Sequence, residues 1–423
     1  MKINKSQFGL LTFNIGIFLL FSAPWIASFF LLISIFISFF NDFKNPFKDN
    51  INKILFLISL LMIISLISFK VSNQYFDLND FNSIKNTNPY LSLLNWIPLF
   101  FFFSSFQSYL KTDKNRKYFI YSLTFGSIPI LISGFGQVLF NWYGPLEFLN
   151  GIIIWYQRSN TTGMTGIFNN QNTAGCALAT VWPFFLAFLL TKNKYDYKNF
   201  ILILLNIIII FGIIFTTSRN ALLGFIIGSF LLLIKSKSKR IINAALGFIS
   251  VFIINALTDI LFEISFIPDS LISKLNFKNF ISDARYFLWK DSIKYVLERP
   301  FLGWGGHSFS TIWNAQNIRY FGHSHSLPLE LAIQYGLITA IALTCLIGFI
   351  LFKSFKVIFL RFKNQLNFSE INNYFDKAWF SASLIIIFSN LIDILYFDIR
   401  ISLLTWLLLA GLINIVREKE LFN

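Results

Sequence analysis

Long apolar runs dominate the sequence, and short segments between them hold most of the charged residues. A helix needs about 20 apolar residues to cross the hydrocarbon core of a membrane, and several runs have this length. Only 13% of the residues are charged, whereas a soluble domain is typically about a quarter charged. The mean hydropathy is +0.63. The chain is therefore predicted to be an all-α, polytopic integral membrane protein.

The apolar runs predict about twelve transmembrane helices within a single domain, residues 1–423. Residues 8–40 are too long for one span, and Pro24 at their midpoint would interrupt a helix. They are predicted to form a hairpin of two short helices, 8–22 and 25–40. The other spans are predicted at 52–69, 91–110, 118–140, 172–191, 199–215, 219–234, 241–258, 327–352, 378–394 and 398–416.

Basic residues predict how these helices are oriented. If the N-terminus lies inside, the N- and C-termini and every second loop hold 23 of the 35 Lys and Arg residues, as the positive-inside rule expects. The net charge of +15 is therefore interpreted as a topology signal, and no nucleic-acid partner is predicted. The long loop 259–326 is assigned to the outer side, because long loops cross largely regardless of charge.

All three histidines lie within nineteen residues, at the end of this long loop. Histidine is the side chain whose ordinary pKa lies nearest neutrality. His325 stands at the entry to an apolar helix, and its imidazole can accept a proton from a hydroxyl, which predicts a general base. The alternative is a loop histidine that only supports the helix start. Candidate supporting residues nearby are His307, His323, Ser326 and Glu330.

Two arginines on the outer side are candidate ligands for an anion. Arg219 follows Thr-Thr-Ser between two apolar runs, where the positive-inside rule gives no reason for a basic residue. A guanidinium presents a planar fork that matches phosphate oxygens, and the free amides of a helix start add donors. Arg285 opens a second basic stretch. The alternative for Arg219 is snorkelling to the lipid headgroups.

The stretch 285–299 predicts a helix on the membrane surface or over the end of the helix bundle. One apolar stripe recurs along it at helical spacing, formed by Tyr286, Trp289, Ile293 and Val296 or Leu297. We expect this stripe to be the packing face. Residues 285–299 are therefore predicted to form a short helix within the long outer loop.

Amide side chains cluster at residues 169–172, directly before a predicted span. Asn169 and Asn172 are candidate ligands for sugar hydroxyls, although a turn with a helix cap would explain the cluster equally well. No Walker-type loop, no pair of cysteines at metal-ligand spacing and no Asp-x-Asp in an outer loop occurs in the sequence. Neither a metal nor another cofactor is therefore predicted.

Several spaced motifs resemble those of the O-antigen ligase family. His325-Ser326, nine residues and Gly336-Leu-Ile-Thr339 resemble its His-[Asn/Ser/Gln]-x9-Gly-x-x-[Gly/Thr/Tyr] signature. Three further stretches resemble recurring family segments: Gly166-Ile-Phe-Asn-Asn-Gln-Asn-Thr-Ala174, Thr-Ser-Arg219-Asn-Ala and Arg299-Pro-Phe-Leu-Gly-Trp-Gly305. The resemblance covers residues 160–350 in spaced pieces.

The resemblance implies a membrane glycosyltransferase of the GT-C type in the bacterial inner membrane. Members move a glycan from undecaprenyl diphosphate to a sugar hydroxyl of lipid A–core, on the periplasmic side and without a metal. The family histidine matches His325 as the base, and the family arginines match Arg219 and Arg285 as diphosphate ligands. Both termini would then be cytoplasmic. Direct displacement would invert the anomeric centre.

The sequence leaves two alternative functions open. O-antigen and exopolysaccharide polymerases share the same motifs, so the acceptor is not determined. A transporter of a small anion or a lipid would instead place ionisable residues deep in its spans. The candidates for that role are Asp393, Asp398 and Arg400, near the outer ends of the last two spans.

Overall fold

A computed structural model describes residues 4–42, 49–72, 89–191, 197–234, 268, 270, 284–317, 320–360 and 370–421. Within these ranges the regular structure is helical, apart from one antiparallel pair of short strands, β1 (Leu146–Phe148) and β2 (Ile153–Trp155). The all-α prediction is confirmed. The predicted span 241–258 and most of residues 259–283 lie outside the described residues.

Fourteen α-helices are described. The first nine are α1 (Lys5–Leu19), α2 (Pro24–Asp42), α3 (Asn50–Ser72), α4 (Ile97–Phe106), α5 (Asp113–Gly126), α6 (Ile128–Phe140), α7 (Gln171–Leu190), α8 (Tyr197–Phe215) and α9 (Arg219–Leu233). The others are α10 (Ala284–Glu298), α11 (Ser308–Gln316), α12 (Leu327–Phe355), α13 (Glu370–Ile392) and α14 (Ile399–Glu420). Pro89–Asn95 and Gln107–Leu110 are 3-10 helices, and Lys356–Leu360 is a π-helix.

Six segments of the described chain are long and apolar enough to cross a membrane. They are Asn50–Ile67, Asp113–Phe140, Gln171–Leu190, Leu327–Leu360, Asn373–Ile392 and Ile399–Glu420. Three apolar helices are shorter, namely Pro24–Phe40, Asn199–Phe215 and Arg219–Leu233. These helices indicate an integral membrane protein. The count of twelve spans and the outer position of loop 259–326 stay predictions.

Proline explains where the helices differ from the predicted spans. The predicted hairpin at Pro24 is present, and Gly16 of α1 lies so close to Leu31 of α2 that a Cβ there would be 2.7 Å from Leu31 Cγ. The predicted span 118–140 is divided into α5 and α6, because Pro129 cannot donate a helical hydrogen bond. The predicted span 91–110 is likewise a 3-10 turn followed by α4, which has Pro98 in its first turn.

The buried face of α10 includes only Val296 fully from the predicted stripe. Leu288, Ser292 and Tyr295 are buried with it, whereas Tyr286 and Ile293 of the stripe are 61% and 51% exposed. The helix is apolar on both sides, so periodicity alone could not select the packing face. The face with the small Ser292 packs on the bundle, and the opposite apolar face stays exposed.

Helix α12 is interrupted at Gly336, whose backbone has φ 85° and ψ 164°. The turn after α10 docks into this break. Ile333 O accepts from Trp304 N at 2.6 Å, and Leu337 N donates to Pro300 O at 2.7 Å. In a continuous helix Ile333 O and Leu337 N would bond to each other. The turn therefore completes the backbone hydrogen bonds that the break opens, and it ties α10 to the half-helix that follows the histidines.

Candidate active site

The carboxylate of Asp393 joins three separate parts of the chain just after α13. His325 Nδ1 lies 2.8 Å from Asp393 Oδ1. The other carboxylate oxygen, Oδ2, accepts from Asn172 Nδ2 at 2.9 Å and from Arg285 Nη2 at 3.4 Å. Asp393 is 3% exposed, so these partners replace most of its hydration. Sequence-distant residues thus converge on one buried carboxylate.

This arrangement orients the imidazole of His325 for proton transfer. Burial raises the pKa of Asp393, but the hydrogen bond from His325 and the charge of Arg285 outweigh it and hold the pKa below its ordinary value. An ionised carboxylate only accepts hydrogen bonds, so Nδ1 of His325 carries the proton. In the neutral imidazole Nε2 then keeps its lone pair, as a general base requires.

Hydrogen bonds around the backbone of His325 hold it in a left-handed conformation, with φ 55°. Ser324 N donates to Glu330 Oε2 at 2.8 Å, and Ser324 Oγ donates to Ser326 O at 3.1 Å. Trp289 Nε1 on α10 donates to His325 O at 3.3 Å. A non-glycine residue in this region costs on the order of 1–3 kcal/mol, which these contacts offset. The strain therefore sits at the proposed base.

Glu330 and Ser326 support the loop rather than the imidazole. Glu330 is 2% exposed and accepts from Ser324 N and from Gln334 Nε2 at 2.8 Å. Asp393, and not Glu330, is therefore the hydrogen-bonded carboxylate partner of the imidazole of His325. Ser326 is the N-cap residue of α12 and makes no side-chain capping bond. Its main-chain oxygen instead accepts from Ser324 and Glu330 N.

The ring of His323 packs against that of His325, with centroids 4.4 Å apart. Its Nδ1 is buried and has no hydrogen-bond partner within the described chain. Burial lowers the pKa of His323 to about 4, with His325 and Arg285 adding to the shift and Asp393 opposing it. His323 is therefore neutral at neutral pH.

We expect His323 to make stability depend on pH. Its pKa falls from 6.5 in the unfolded chain to about 4 in the folded protein. Between these values the unfolded chain binds the additional proton, so the free energy of unfolding should decrease, by up to about 3 kcal/mol, as pH falls. Thermal unfolding in detergent at pH 7 and pH 4.5 should show this loss. The variant His323→Asn should lose much of the dependence; an unchanged slope would contradict the assignment.

The structure separates His307 from this cluster. His307 is the N-cap residue of α11, with φ 60° and no capping bond from its side chain. Burial lowers its pKa below the ordinary value. The contacts of His325 in the described chain do not include it. His307 is therefore part of the turn that packs against the bundle.

Arg219 begins α9 at the same end of the bundle as Asp393. The next residue, Asn220, donates from Nδ2 to Ser389 O at 3.1 Å, and Ser389 O also accepts from Asp393 N at 2.9 Å. Ser218 Oγ caps α9 by accepting from Ala221 N at 3.4 Å. Arg219 is half-buried. Both predicted arginines thus belong to the end of the bundle that holds His325.

A cavity of about 610 Å³ opens beside His325 and Asp393. Its walls come from the start of α2, from residues 152–156 at β2, from the start of α7 and from residues 393–400. Asn169 and Asn172 both line it, as do His323 and His325. These four candidate residues from the sequence therefore line the same cavity, and Asn172 also contacts the carboxylate of Asp393.

From the sequence, Asp393 was a candidate only for the transport alternative. It stands out there as an acidic residue at the end of an apolar span, where an ionisable group is a functional candidate by default. No periodicity or spacing connects it to His325, which lies 68 residues earlier. The two residues meet only because α12, which follows His325, packs against α13.

Within the described chain, His323, His325 and Asp393 could offer metal ligands, with donor atoms all within 4.8 Å of one another. Here the imidazole of His325 and the carboxylate of Asp393 already bind each other, and Arg285 places a cation beside that carboxylate. A second cation would be repelled by Arg285. The donor set therefore favours a proton-transfer pair, and a metal-free reaction stays a prediction.

Comparison with known proteins gives two similarities. The sequence model of the O-antigen ligase family matches residues 204–344, which include Arg219, Arg285 and His325. The ComP-specific O-oligosaccharyltransferase of Acinetobacter baylyi is 25% identical over 194 residues, which is 43% of this chain and 35% of that protein. The chain thus spans about a third of the length of this relative. The family resemblance of the motifs is confirmed by the match of residues 204–344 to the O-antigen ligase family.

Proposed function

We propose that this chain is a membrane glycosyltransferase that moves a glycan from undecaprenyl diphosphate to a hydroxyl of an acceptor sugar, such as one on lipid A–core. The observation that carries the proposal is the 2.8 Å contact between His325 and Asp393 beside an open cavity. Arg285 is paired with the same carboxylate. The match to the O-antigen ligase family supports the reaction class.

The residues have complementary roles in this reaction. His325 Nε2 takes the proton of the acceptor hydroxyl while its oxygen attacks the anomeric carbon of the donor. The bond from that carbon to the diphosphate breaks, and Arg219 and Arg285 stabilise the charge that develops on the leaving group. Asp393 stabilises the imidazolium. Direct displacement inverts the anomeric centre, so a product with retained configuration would contradict this mechanism.

Charged residues at the opposite end of the bundle support a periplasmic site and cytoplasmic termini. Arg417 and Lys419 lie in the last turn of α14. Lys353, near the end of α12, pairs with Glu420 at 3.1 Å. This basic end is remote from the candidate active site, because Asp398 caps the start of α14 and the basic residues lie in its last turn. By the positive-inside rule the basic end is cytoplasmic.

The other candidate functions predict different contacts. A transporter would hold its ionisable groups at mid-membrane, yet Asp393, Asp398 and Arg400 lie at one end of the bundle. Asp393 contacts His325, and Arg400 pairs with Asp398. These contacts favour chemistry at one membrane face. A polymerase of the same family would use the same residues with a growing glycan as acceptor.

The test is the profile of lipid-linked glycans in a strain that lacks this chain. A ligase predicts that long glycans accumulate on the undecaprenyl carrier, because the transfer to the acceptor is lost. A polymerase predicts that single repeat units accumulate instead. If neither the carrier-linked nor the surface glycans change, the proposed transferase function is wrong.

Replacement of Arg219 or Arg285 by lysine tests the diphosphate contact. Lysine keeps the charge but loses the planar fork, so we expect each variant to lose about 10²-fold in transfer rate. The control is Arg417→Lys, an arginine paired with Asp49 at the other end of α14. Transfer rates measured on purified proteins should fall only in the first two. A fully active Arg219→Lys variant would indicate that Arg219 is only a surface charge.

A further inference from the structure

The wall of the cavity beside His325 contains an ion pair that the proposed reaction does not use. Arg400 is 6% exposed and lines the cavity together with Asp398. Its Nε donates to Asp398 Oδ1 at 2.8 Å, and its Nη2 donates to Asp398 Oδ2. The guanidinium also stacks on Phe168, 3.9 Å from the ring centroid. The pair is therefore held rigidly in the cavity wall.

Part of the donor capacity of Arg400 is unused. A guanidinium offers five N–H groups in a fixed fork, and only those on Nε and Nη2 meet a hydrogen-bond acceptor in the described part of the chain. Because Arg400 lines the cavity, its remaining N–H groups can donate hydrogen bonds to a ligand there. The Asp398 oxygens beside them can accept hydrogen bonds, and the Asn169 and Asn170 amides line the same space.

The charges around the cavity balance. Asp398 is paired with Arg400, and Asp393 is paired with Arg285 from outside the cavity wall. A ligand with a net charge would therefore meet no uncompensated partner among these groups. Adjacent donors and acceptors match a ligand whose hydroxyls both donate and accept, as neighbouring hydroxyls of a neutral sugar do.

The position of the cavity distinguishes acceptor from donor. His325, the proposed base for the acceptor hydroxyl, lines the cavity, but Arg219 and Arg285, the proposed diphosphate ligands, do not. Tyr156 and the isoleucines of the β2 segment add apolar surface to the same cavity. An aromatic and aliphatic lining with a few polar groups is typical of a specific ligand site.

We propose that the cavity is the acceptor subsite and takes a neutral hexose, two of whose hydroxyls are held by the Asp398–Arg400 pair while a third faces His325. This inference rests on the proposed transferase function for its link to catalysis. The binding of the sugar itself needs no catalysis, so it can be measured in protein that carries no donor.

The test is saturation-transfer NMR on the full-length protein in detergent, with methyl glycosides of glucose, galactose, mannose and N-acetylglucosamine as probes. We expect a saturation-transfer signal from at least one neutral glycoside with the wild-type protein. Arg400→Gln and Asp398→Asn should each bind that glycoside at least about tenfold more weakly, because each loses hydrogen bonds to the sugar. Arg417→Gln, which removes another aspartate-paired arginine of α14, should leave binding unchanged. The measurement uses protein without donor, so a failed transferase assay does not affect this test.

Any of three outcomes would overturn the proposal. They are no saturation-transfer signal from any neutral glycoside, binding by Arg400→Gln equal to that of the wild type, or preferential binding of methyl glucuronide, which would indicate an anion site. If Arg400→Gln does not yield folded protein, Arg400→Lys and Asn169→Ala take its place. Asn169 is exposed on the cavity wall, so its loss should weaken sugar binding and leave the thermal stability unchanged.

Discussion

Replacement of His325 by alanine should lower glycan transfer by about 10²–10⁴-fold, the usual contribution of a general base. The physical reason is the contact between His325 Nδ1 and Asp393, which leaves Nε2 free to accept a proton beside the cavity. Binding of the donor should change little, because the proposed diphosphate ligands are the arginines. The measurement is the transfer rate of purified protein with saturating lipid-linked donor.

His307→Ala is the matched control, because His307 shares the loop but has no contact with His325 in the described chain. Its transfer rate should remain within a few-fold of the wild type. Asp393→Asn should reduce transfer too, because an amide does not stabilise an imidazolium as a carboxylate does. If His325→Ala retains wild-type transfer while it is inserted and folded, His325 is not the base.

Replacement of Gly336 by alanine should destabilise the protein by more than about 3 kcal/mol. Gly336 has φ 85° and ψ 164°, a region that is essentially restricted to glycine. A Cβ at this position would lie 1.9 Å from Phe301 O and 2.4 Å from Phe301 C, which are backbone atoms and cannot rotate away. The turn at residues 300–305 would have to leave the break in α12. Unfolding in mixed detergent micelles measures the loss.

Gly348 on the same helix provides the control. A Cβ there would meet nothing within 4 Å, and its backbone is helical. Gly348→Ala should therefore change the free energy of unfolding by less than about 1 kcal/mol, and in the stabilising direction. Equal stability of the two variants would show that the turn does not depend on the backbone of Gly336.

Part of the candidate site could be read from local sequence. His325 and Arg219 stand out because each is an ionisable residue beside an apolar span on the predicted outer side, and Arg285 because it opens a basic stretch in the long outer loop. The spacing from His325 to Gly336 also has a structural origin, since the half-helix between them ends where the turn docks. Local patterns carry this information because helix starts, breaks and caps depend on a few consecutive residues.

Other features depended on tertiary contacts. Glu330 is the acidic residue nearest to His325 in sequence and was a candidate supporting residue. It accepts from the backbone of Ser324, and the imidazole of His325 contacts Asp393 instead. The packing face of α10 was also misassigned, because both faces are apolar and burial depends on what the helix meets. The Asp398–Arg400 pair could not be recognised as part of a cavity before its opposite wall was known.

The sequence by itself determined the membrane class, the positions of many of the helices and the residues with candidate chemistry. Hydrophobic length and the position of proline and glycine act along the chain, so they can be read from consecutive residues. Only the tertiary structure decided that Asp393 orients His325 and that a cavity lies beside them. Those relations join α7, α10, α13 and the histidine loop through side-chain hydrogen bonds, and the packing of helices distant in sequence sets their geometry.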